Sequence, residues 1–471
     1  MSRRPGRQDQ HRNANRGRRE RAALPEHTGV LTIDGFAAGG EGVGRMDGMA
    51  VFVPRTAPGD IAQVAYTRHA RHGRGRVLQL LQRSEQRVDA RCAHYEDDRC
   101  GACQLQHVDG PAQRLARQHM VQETLRRVGR REVSLPPITA DLEWHYRGRL
   151  TLVLLRRSGG WIGGLHPHDD ARRVFALEQC EIAHPLLVET WHALRPLLAD
   201  RTMGMPNADA LRLGLRLDSE TGVVHSGAAS DLKVTVVLQG GSVWEDRESW
   251  SAALLRRAPQ VRAVWWEAAD GTRDAALEDG AAPEAGEALA FAQVNARVAD
   301  ALREHVYAAV TQFAPTRVVD GYAGTGLLTE RLAVAGHEVI AVEADAVGAR
   351  HAEARLRAAG EQVAGRGEVV CDLMEQAIPR LSSPGRVPDV VVLNPPRRGV
   401  DARVTAWLED DTMQTVRGLV YVSCDPATLA RDLSRMPSWD IVSVHCFDMF
   451  PQTAHVETVC VLQRSQGREA A

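Results

Sequence analysis

From about Gln293 onward, short apolar runs alternate with helical stretches, and that rhythm limits the second half of the chain to one class of architecture. The runs TRVVD, HEVIAVEAD, GEVVC, DVVVLN and GLVYVSC are rich in β-branched residues and carry no polar face. Strands covered on both sides must read that way. The segments between them, such as LLTERLAVAG and AVGARHAEARLRAAG, have helical spacing. Such alternation specifies an α/β fold with a parallel sheet. The spacing predicts a helix over about Val294–Gln312 ahead of the first strand. It predicts two strands around a turn, an antiparallel edge, in the final run WDIVSVHCFDMFPQTAHVETVCVLQR.

The 471 residues leave room for two to three domains. Residues 1–25 are arginine-rich and lack periodicity, so they read as a disordered basic tail, either merely solvated or touching RNA. Residues 26–88 alternate short β-like runs with glycine turns, which predicts a small β-barrel. Gly39-Gly40-Glu41-Gly42-Val43-Gly44-Arg45 resembles a phosphate loop, but strands follow it where a helix would be needed, so it reads as a hairpin turn. Residues 89–290 hold a cysteine loop, a helix over Pro111–Arg127 and a mixture of strands and helices, a central α+β domain. Asp270–Gly286, rich in Ala, Asp, Glu and Gly, reads as a surface loop. Residues 291–471 form the last domain. No apolar run reaches the roughly 20 residues of a membrane span, and the N-terminus lacks the apolar core of a signal peptide. A cytoplasmic, monomeric protein is expected. The formal net charge is only −2, so nucleic-acid binding needs basic residues in patches, such as RHARHGRGR at Arg68–Arg76.

Val318-Val319-Asp320-Gly321-Tyr322-Ala323-Gly324-Thr325-Gly326 ends a strand and opens a helix. Gly324 and Gly326 allow a tight turn and close approach of a ligand. Glu343, at the end of the next strand, stands where a carboxylate accepts ribose hydroxyls. The order D-x-x-x-G-x-G is not that of dinucleotide loops; a cofactor without phosphates, S-adenosylmethionine, suits it. Further on, Asn394-Pro395-Pro396-Arg397 ends one strand and Ser423-Cys424-Asp425-Pro426 ends the next. Asn-Pro-Pro suits the flat edge of a base, and Cys424 adds a nucleophile at the edge where open α/β sites lie. A thiolate adding to C6 of uracil makes C5 able to accept a methyl group, and a base must then remove the C5 proton. Glu457 is the candidate base, because burial in its apolar strand would raise its pKa; the sequence leaves open whether it faces outward. Cys371, Cys446 and Cys460 read as buried small hydrophobes.

Among the 8 cysteines, Cys92, Cys100 and Cys103 are local and Cys180 is remote. Three plus one suits a [4Fe–4S] cluster better than zinc, which stays the alternative.

Together these residues resemble the RNA uracil-5-methyltransferases, the enzymes of 5-methyluridine in bacterial tRNA and 23S rRNA. The resemblance runs over about residues 28–465. It includes Phe291-Ala292-Gln293-Val294-Asn295, the cofactor loop, Asn-Pro-Pro-Arg, Ser-Cys-Asp-Pro and Asp448-Met449-Phe450-Pro451-Gln452-Thr453-Ala454-His455-Val456-Glu457. It implies a class I, Rossmann-like methyltransferase domain behind a TRAM-like (OB-like) barrel. By resemblance, Cys424 is the nucleophile and Glu457 the base. Gln293, Tyr322, Gly324, Gly326, Glu343 and Asp372 bind S-adenosylmethionine, with Asn394 beside them. Cys92, Cys100, Cys103 and Cys180 bind a [4Fe–4S] cluster. The substrate implied is RNA, 23S rRNA before tRNA. A non-catalytic RNA-binding protein that keeps the fold is the alternative of another class. Many relatives have Asp where Asn394 stands; an amide can still accept from uracil N3–H and donate to O4. Tyr146-Arg147-Gly148-Arg149 is similar to a basic substrate-facing motif of the family.

Overall fold

The computed structural model describes residues 25–219, 232–278, 293–314, 317–383 and 385–465. The basic tail and Phe291-Ala292 therefore lie outside the described residues, Pro25 excepted. The chain divides into two compact units, one made of residues up to Ala37 with Glu41–Glu85, the other of Ala38–Gly40 with Gln86–Ala471.

The first unit is all β. Its strands are β1 (Glu26–Thr32), β2 (Gly35–Phe36), β3 (Gly42–Met46), β4 (Met49–Val53), β5 (Ile61–Arg68) and β6 (Gly73–Gln82). They form one sheet in the order β1-β5-β6-β4-β3-β2. The glycine-rich segment pairs as strand β3, so it is not a phosphate loop. Alternation puts Leu31, Ile33, Val51, Val53, Ala62, Val64 and Tyr66 into one core. The basic run is exposed, but Arg68, Arg74 and Arg76 each reach an acidic side chain: Asp47, Glu41 and Glu26. Exposed pairs of this kind contribute little to stability.

In the second unit, the helix Gly110–Arg127 is capped by Asp109, whose carboxylate accepts from the Ala112 amide at 2.8 Å, with Pro111 in its first turn. The central sheet follows: β7 (Arg149–Arg157), β8 (Gly160–Leu165), β9 (Phe175–Ala176), β10 (Ala210–Ser219), β11 (Leu232–Gln239), β12 (Val261–Glu267) and β13 (Arg273–Glu278), ordered β13-β12-β11-β10-β7-β8-β9. Helices Pro185–Ala199 and Arg247–Arg257 pack on it around a tryptophan-rich core of Trp191, Trp244, Trp250 and Trp266. The expected surface loop Asp270–Gly286 opens with an exposed turn and then holds β13, Arg273–Glu278. That strand pairs antiparallel with β12, and its Ala275 packs beside Trp265. Small apolar residues inside an acidic run thus make an edge strand; the remainder of that segment lies outside the described residues.

The last sheet contains β14 (Arg317–Gly321), β15 (Glu338–Val342), β16 (Gly367–Val370), β17 (Val390–Leu393), β18 (Gly418–Ser423), β19 (Trp439–Phe447) and β20 (Glu457–Arg464). The order is β16-β15-β14-β17-β18-β20-β19. Strands β14 to β18 run parallel, and β20 inserts antiparallel between β18 and β19. Both faces are buried: β17 and β18 have no exposed residue. Strand order reverses between β14 and β17, which opens a crevice at their carboxyl ends. The helix Gly110–Arg127 adds Val121 and Leu125 to one of the two cores of this sheet. Among the described residues no helix is long and apolar enough to cross a membrane.

Candidate active site

The turn after β14 is built from left-handed backbone. Tyr322, Gly324 and Gly326 have φ of 62°, 58° and 76°. The Tyr322 and Ala323 amides donate to the Val342 carbonyl at 2.8 and 3.1 Å, tying the turn to β15. Gly326 caps the helix Leu327–Val334, and a Cβ there would stand 2.6 Å from that of Ala352. Only glycine fits. Asp320, at the end of β14, is buried and accepts from the Thr329 hydroxyl at 2.6 Å. Burial pushes its carboxyl up to about 6, against the Thr329 hydrogen bond.

Glu343 leaves the end of β15 and turns back to this loop. Its Oε2 accepts from the Gly324 amide and its Oε1 from the Asp345 amide, both at 2.7 Å. Two backbone donors fix the carboxylate and leave it lone pairs for further donors. Asp372 is exposed beyond β16; its amide donates to the Glu343 carbonyl at 3.1 Å and its Oδ1 accepts from the Leu373 amide at 2.8 Å. Across the crevice, Asn394 is exposed, and its main-chain N–H donates to the Gly321 carbonyl at 3.2 Å. Gln293 is half-buried, two residues before Asn295, which caps the helix Ala296–Thr311. Tyr322 is half-buried, and desolvation pushes its phenol above the usual range.

Two strands along, Ser423-Cys424-Asp425-Pro426 is a helix entry. The Asp425 carboxylate accepts from the Ala427 amide at 2.8 Å, and Pro426 occupies the first turn of the helix Pro426–Leu433. The Ser423 hydroxyl donates to the Asp425 carbonyl at 2.9 Å and accepts from its amide at 3.2 Å. Cys424 is left at the rim of β18. Ser423 pairs with Thr458 on β20, so the next positions bring Cys424 and Glu457 to the same rim. Glu457 is only 5% exposed, which answers the question the sequence left open. Burial pushes its carboxyl up to about 7, and the Arg397 guanidinium acts the other way. The Cys424 thiol is raised by burial and then by Glu457, with Arg397 again opposing. Arg397, given no site role from the sequence, is thus a cation that acts on both groups. A thiol can add as thiolate to an electrophilic carbon, and a neighbouring carboxylate poised near neutrality can then take a proton from the adjacent carbon.

Cys92, Cys100 and Cys103 are buried and Cys180 is half-buried. They converge: burial raises the Cys103 thiol, and Cys180, Cys100 and Cys92 each raise it further. Among the described residues no group of three or more Cys, His, Asp or Glu side chains is arranged to hold a metal ion. The four thiols are neighbours rather than an assembled ligand set. Of the three cysteines expected in the core, Cys446 and Cys460 are buried, but Cys371 is exposed, because it follows the edge strand β16.

The family model described as tRNA (Uracil-5-)-methyltransferase matches residues 386–465, the stretch that holds Asn394, Cys424 and Glu457. An uncharacterized RNA methyltransferase of Thermosynechococcus vestitus is 32% identical over 469 residues, covering 92% of this chain and 98% of that protein. The 23S rRNA (uracil(1939)-C(5))-methyltransferase of Thiobacillus denitrificans is 30% identical over 448 residues, covering 90% and 97%. Among solved structures, the tRNA (uracil-54, C5)-methyltransferase of Pyrococcus abyssi, in complex with S-adenosyl-L-homocysteine, has the same fold. The TM-score is 0.64 at 20% identity, covering 92% of this chain and 99% of that one.

Proposed function

The chain belongs to the RNA uracil-5-methyltransferase family, and we propose that it methylates C5 of a uridine in 23S rRNA with Cys424 as nucleophile and Glu457 as base. The observation that carries this reading is the pairing of a buried carboxylate with a thiol on adjoining strand ends, on the same sheet edge as the glycine turn.

The residues around that turn suit S-adenosylmethionine. Glu343 keeps free lone pairs for ribose hydroxyls, Asp372 is bonded to the Glu343 carbonyl, Tyr322, Gly324 and Gly326 form the turn, and Gln293 is assigned to the cofactor by the resemblance. When bound, the cofactor supplies a sulfonium methyl group to C5. Cys424, as thiolate, attacks C6 of the flipped uracil; the new C6–S bond drives the C5=C6 electron pair toward C5 and O4. Arg397 favours the thiolate. Asn394 reads the base edge, accepting from N3–H and donating to O4. Once C5 carries the methyl group, its hydrogen leaves as a proton to the Glu457 carboxylate. The C–H electron pair restores C5=C6, and the C6–S bond breaks to return the thiolate. Retention of both Cys424 and Glu457 speaks against a binding-only protein.

Cys92, Cys100, Cys103 and Cys180 would hold a [4Fe–4S] cluster in this reading. Four soft donors gathered in a desolvated place are the chemistry that such a cluster takes, and its iron ions would relieve the mutual repulsion of the thiolates. The role assigned is structural, since the methylation has no redox step.

The match to the Thiobacillus denitrificans enzyme over 90% of this chain supports rRNA. The family description and the Pyrococcus abyssi enzyme favour tRNA as the second reading. Incubation with methyl-labelled S-adenosylmethionine and unmethylated 23S rRNA or tRNA transcripts separates them. Label in 5-methyluridine of the 23S transcript is expected; label confined to tRNA contradicts the rRNA assignment, and none in either contradicts the activity.

A further inference from the structure

The loop that delivers Glu457 is held from the other end of the chain. Asp448–Val456 connects β19 to β20, and Glu457 is the first residue after it. Gln113 and Arg117 lie one turn apart on the helix Gly110–Arg127, on the same face. The Gln113 amide nitrogen donates to Gln452 Oε1 at 2.9 Å, and Gln113 Oε1 accepts the Gln452 main-chain N–H at 3.1 Å. Arg117 donates through Nη1 to the Thr453 carbonyl at 2.9 Å and through Nη2 to Asp448 Oδ2 at 2.7 Å. The Gln104 and Leu105 amides, just past Cys103, both donate to the Gln452 carbonyl, at 3.1 and 3.0 Å. Gln452 itself sits at φ 70°, a conformation a side chain disfavours and these bonds impose.

The Arg117–Asp448 pair is a poor choice for stability alone. Both side chains are almost wholly buried, and Arg117 Nε and Asp448 Oδ1 have no hydrogen-bond partner among the described residues. Desolvating two charges and leaving such positions unfilled costs more than a pair of apolar side chains would. The pair does, however, grip both ends of the loop, Asp448 at its start and Thr453 near its end.

We propose that Gln113 and Arg117 are positioning residues for proton removal, fixing the loop Asp448–Val456 so that the Glu457 carboxylate meets the C5 proton. This rests on the reading of Glu457 as the base. Loosening the loop then slows the last step and spares the first: the Cys424–uracil adduct forms at its normal rate and persists. A contact that only supported the fold would lower adduct formation and turnover together.

The test uses the full chain with unmethylated total RNA and labelled S-adenosylmethionine. It follows turnover and the protein–RNA adduct that survives detergent. Four proteins are compared: native, Glu457→Gln, Gln113→Leu, and the double variant Arg117→Met/Asp448→Leu. The double variant replaces the buried pair by apolar side chains and avoids a lone buried charge; Gln113→Leu carries the test by itself if that variant does not fold. Expected are adduct formation close to native and adduct decay slowed about 10- to 100-fold in the loop variants. Native-like decay in Gln113→Leu, or adduct formation falling in step with turnover, overturns the positioning role. Absence of accumulated adduct in Glu457→Gln overturns the base assignment beneath it, which tells the two failures apart.

Discussion

The two halves of the active-site rim are built in opposite ways. The half around the glycine turn, which we propose binds the cofactor, is local: Glu343 takes its hydrogen bonds from Gly324 and Asp345, 19 and 2 residues away. The half that carries Glu457 is remote: the loop before it is bonded by Gln113 and Arg117, which lie 339 and 331 residues from their partners Gln452 and Asp448. A local turn needs only glycine and one carboxylate to take shape. A carboxylate that must be buried and still face a reacting carbon needs supports brought in by the tertiary fold. The difference means that damage to the first half should weaken cofactor binding, while damage to the second should stop chemistry at a defined step.

The largest effect expected is at Cys424, which local bonds set at the rim beside the remotely held Glu457. Cys424→Ala should lower methyl transfer by at least about 10⁴-fold, because no other group replaces the nucleophile; labelled incorporation into RNA measures it. If the Cys424 variant keeps substantial activity, the rim does not divide as described.

Glu457→Gln should cost about 10²- to 10⁴-fold in turnover, the usual worth of a positioned base. In the native protein the rate should rise with pH through about 7, because only the carboxylate accepts the proton. The same group makes stability depend on pH. Its folded pKa is raised to about 7 from 4.5, so between those values the folded chain holds a proton that the unfolded chain has released. Stability conferred at low pH is therefore lost as pH rises through that window. Against native protein, Glu457→Gln should gain on the order of 3 kcal/mol at about pH 8 and almost nothing at about pH 4, read by urea unfolding.

Smaller effects sharpen the local half. Gly326→Ala puts a side chain at φ 76° against Ala352. It should cost about 1–2 kcal/mol from the backbone alone, with a raised KM for S-adenosylmethionine and a nearly unchanged kcat. Asp425→Ala removes the cap behind Cys424 and should cost about 1 kcal/mol, seen in the same unfolding assay.

The same division explains what could be read in advance. Strand–helix alternation was enough for the parallel sheet, because strands buried on both faces leave continuous apolar runs. The Gly324–Gly326 turn and the Cys424 strand end were visible because each is specified within a few residues. Whether Glu457 is buried was not visible, since it opens a strand whose neighbours, β18 and β19, decide its surroundings. Nothing near Arg117 in sequence marks it out from other arginines of its helix. Within the expected surface loop Asp270–Gly286, the strand Arg273–Glu278 was missed because composition outweighed the alternation that pairs it with β12.

The claim on which the account turns is a bond between the Cys424 sulfur and C6 of the target base, and RNA carrying 5-fluorouridine tests it most directly. Fluorine occupies the position of the proton that Glu457 must take and cannot leave in its place, so the reaction should stall with protein and RNA joined. After incubation with S-adenosylmethionine and digestion, mass spectrometry should find the methylated fluoropyrimidine on the peptide that contains Cys424. A stable adduct on any other cysteine, or turnover with no adduct at all, would contradict the account.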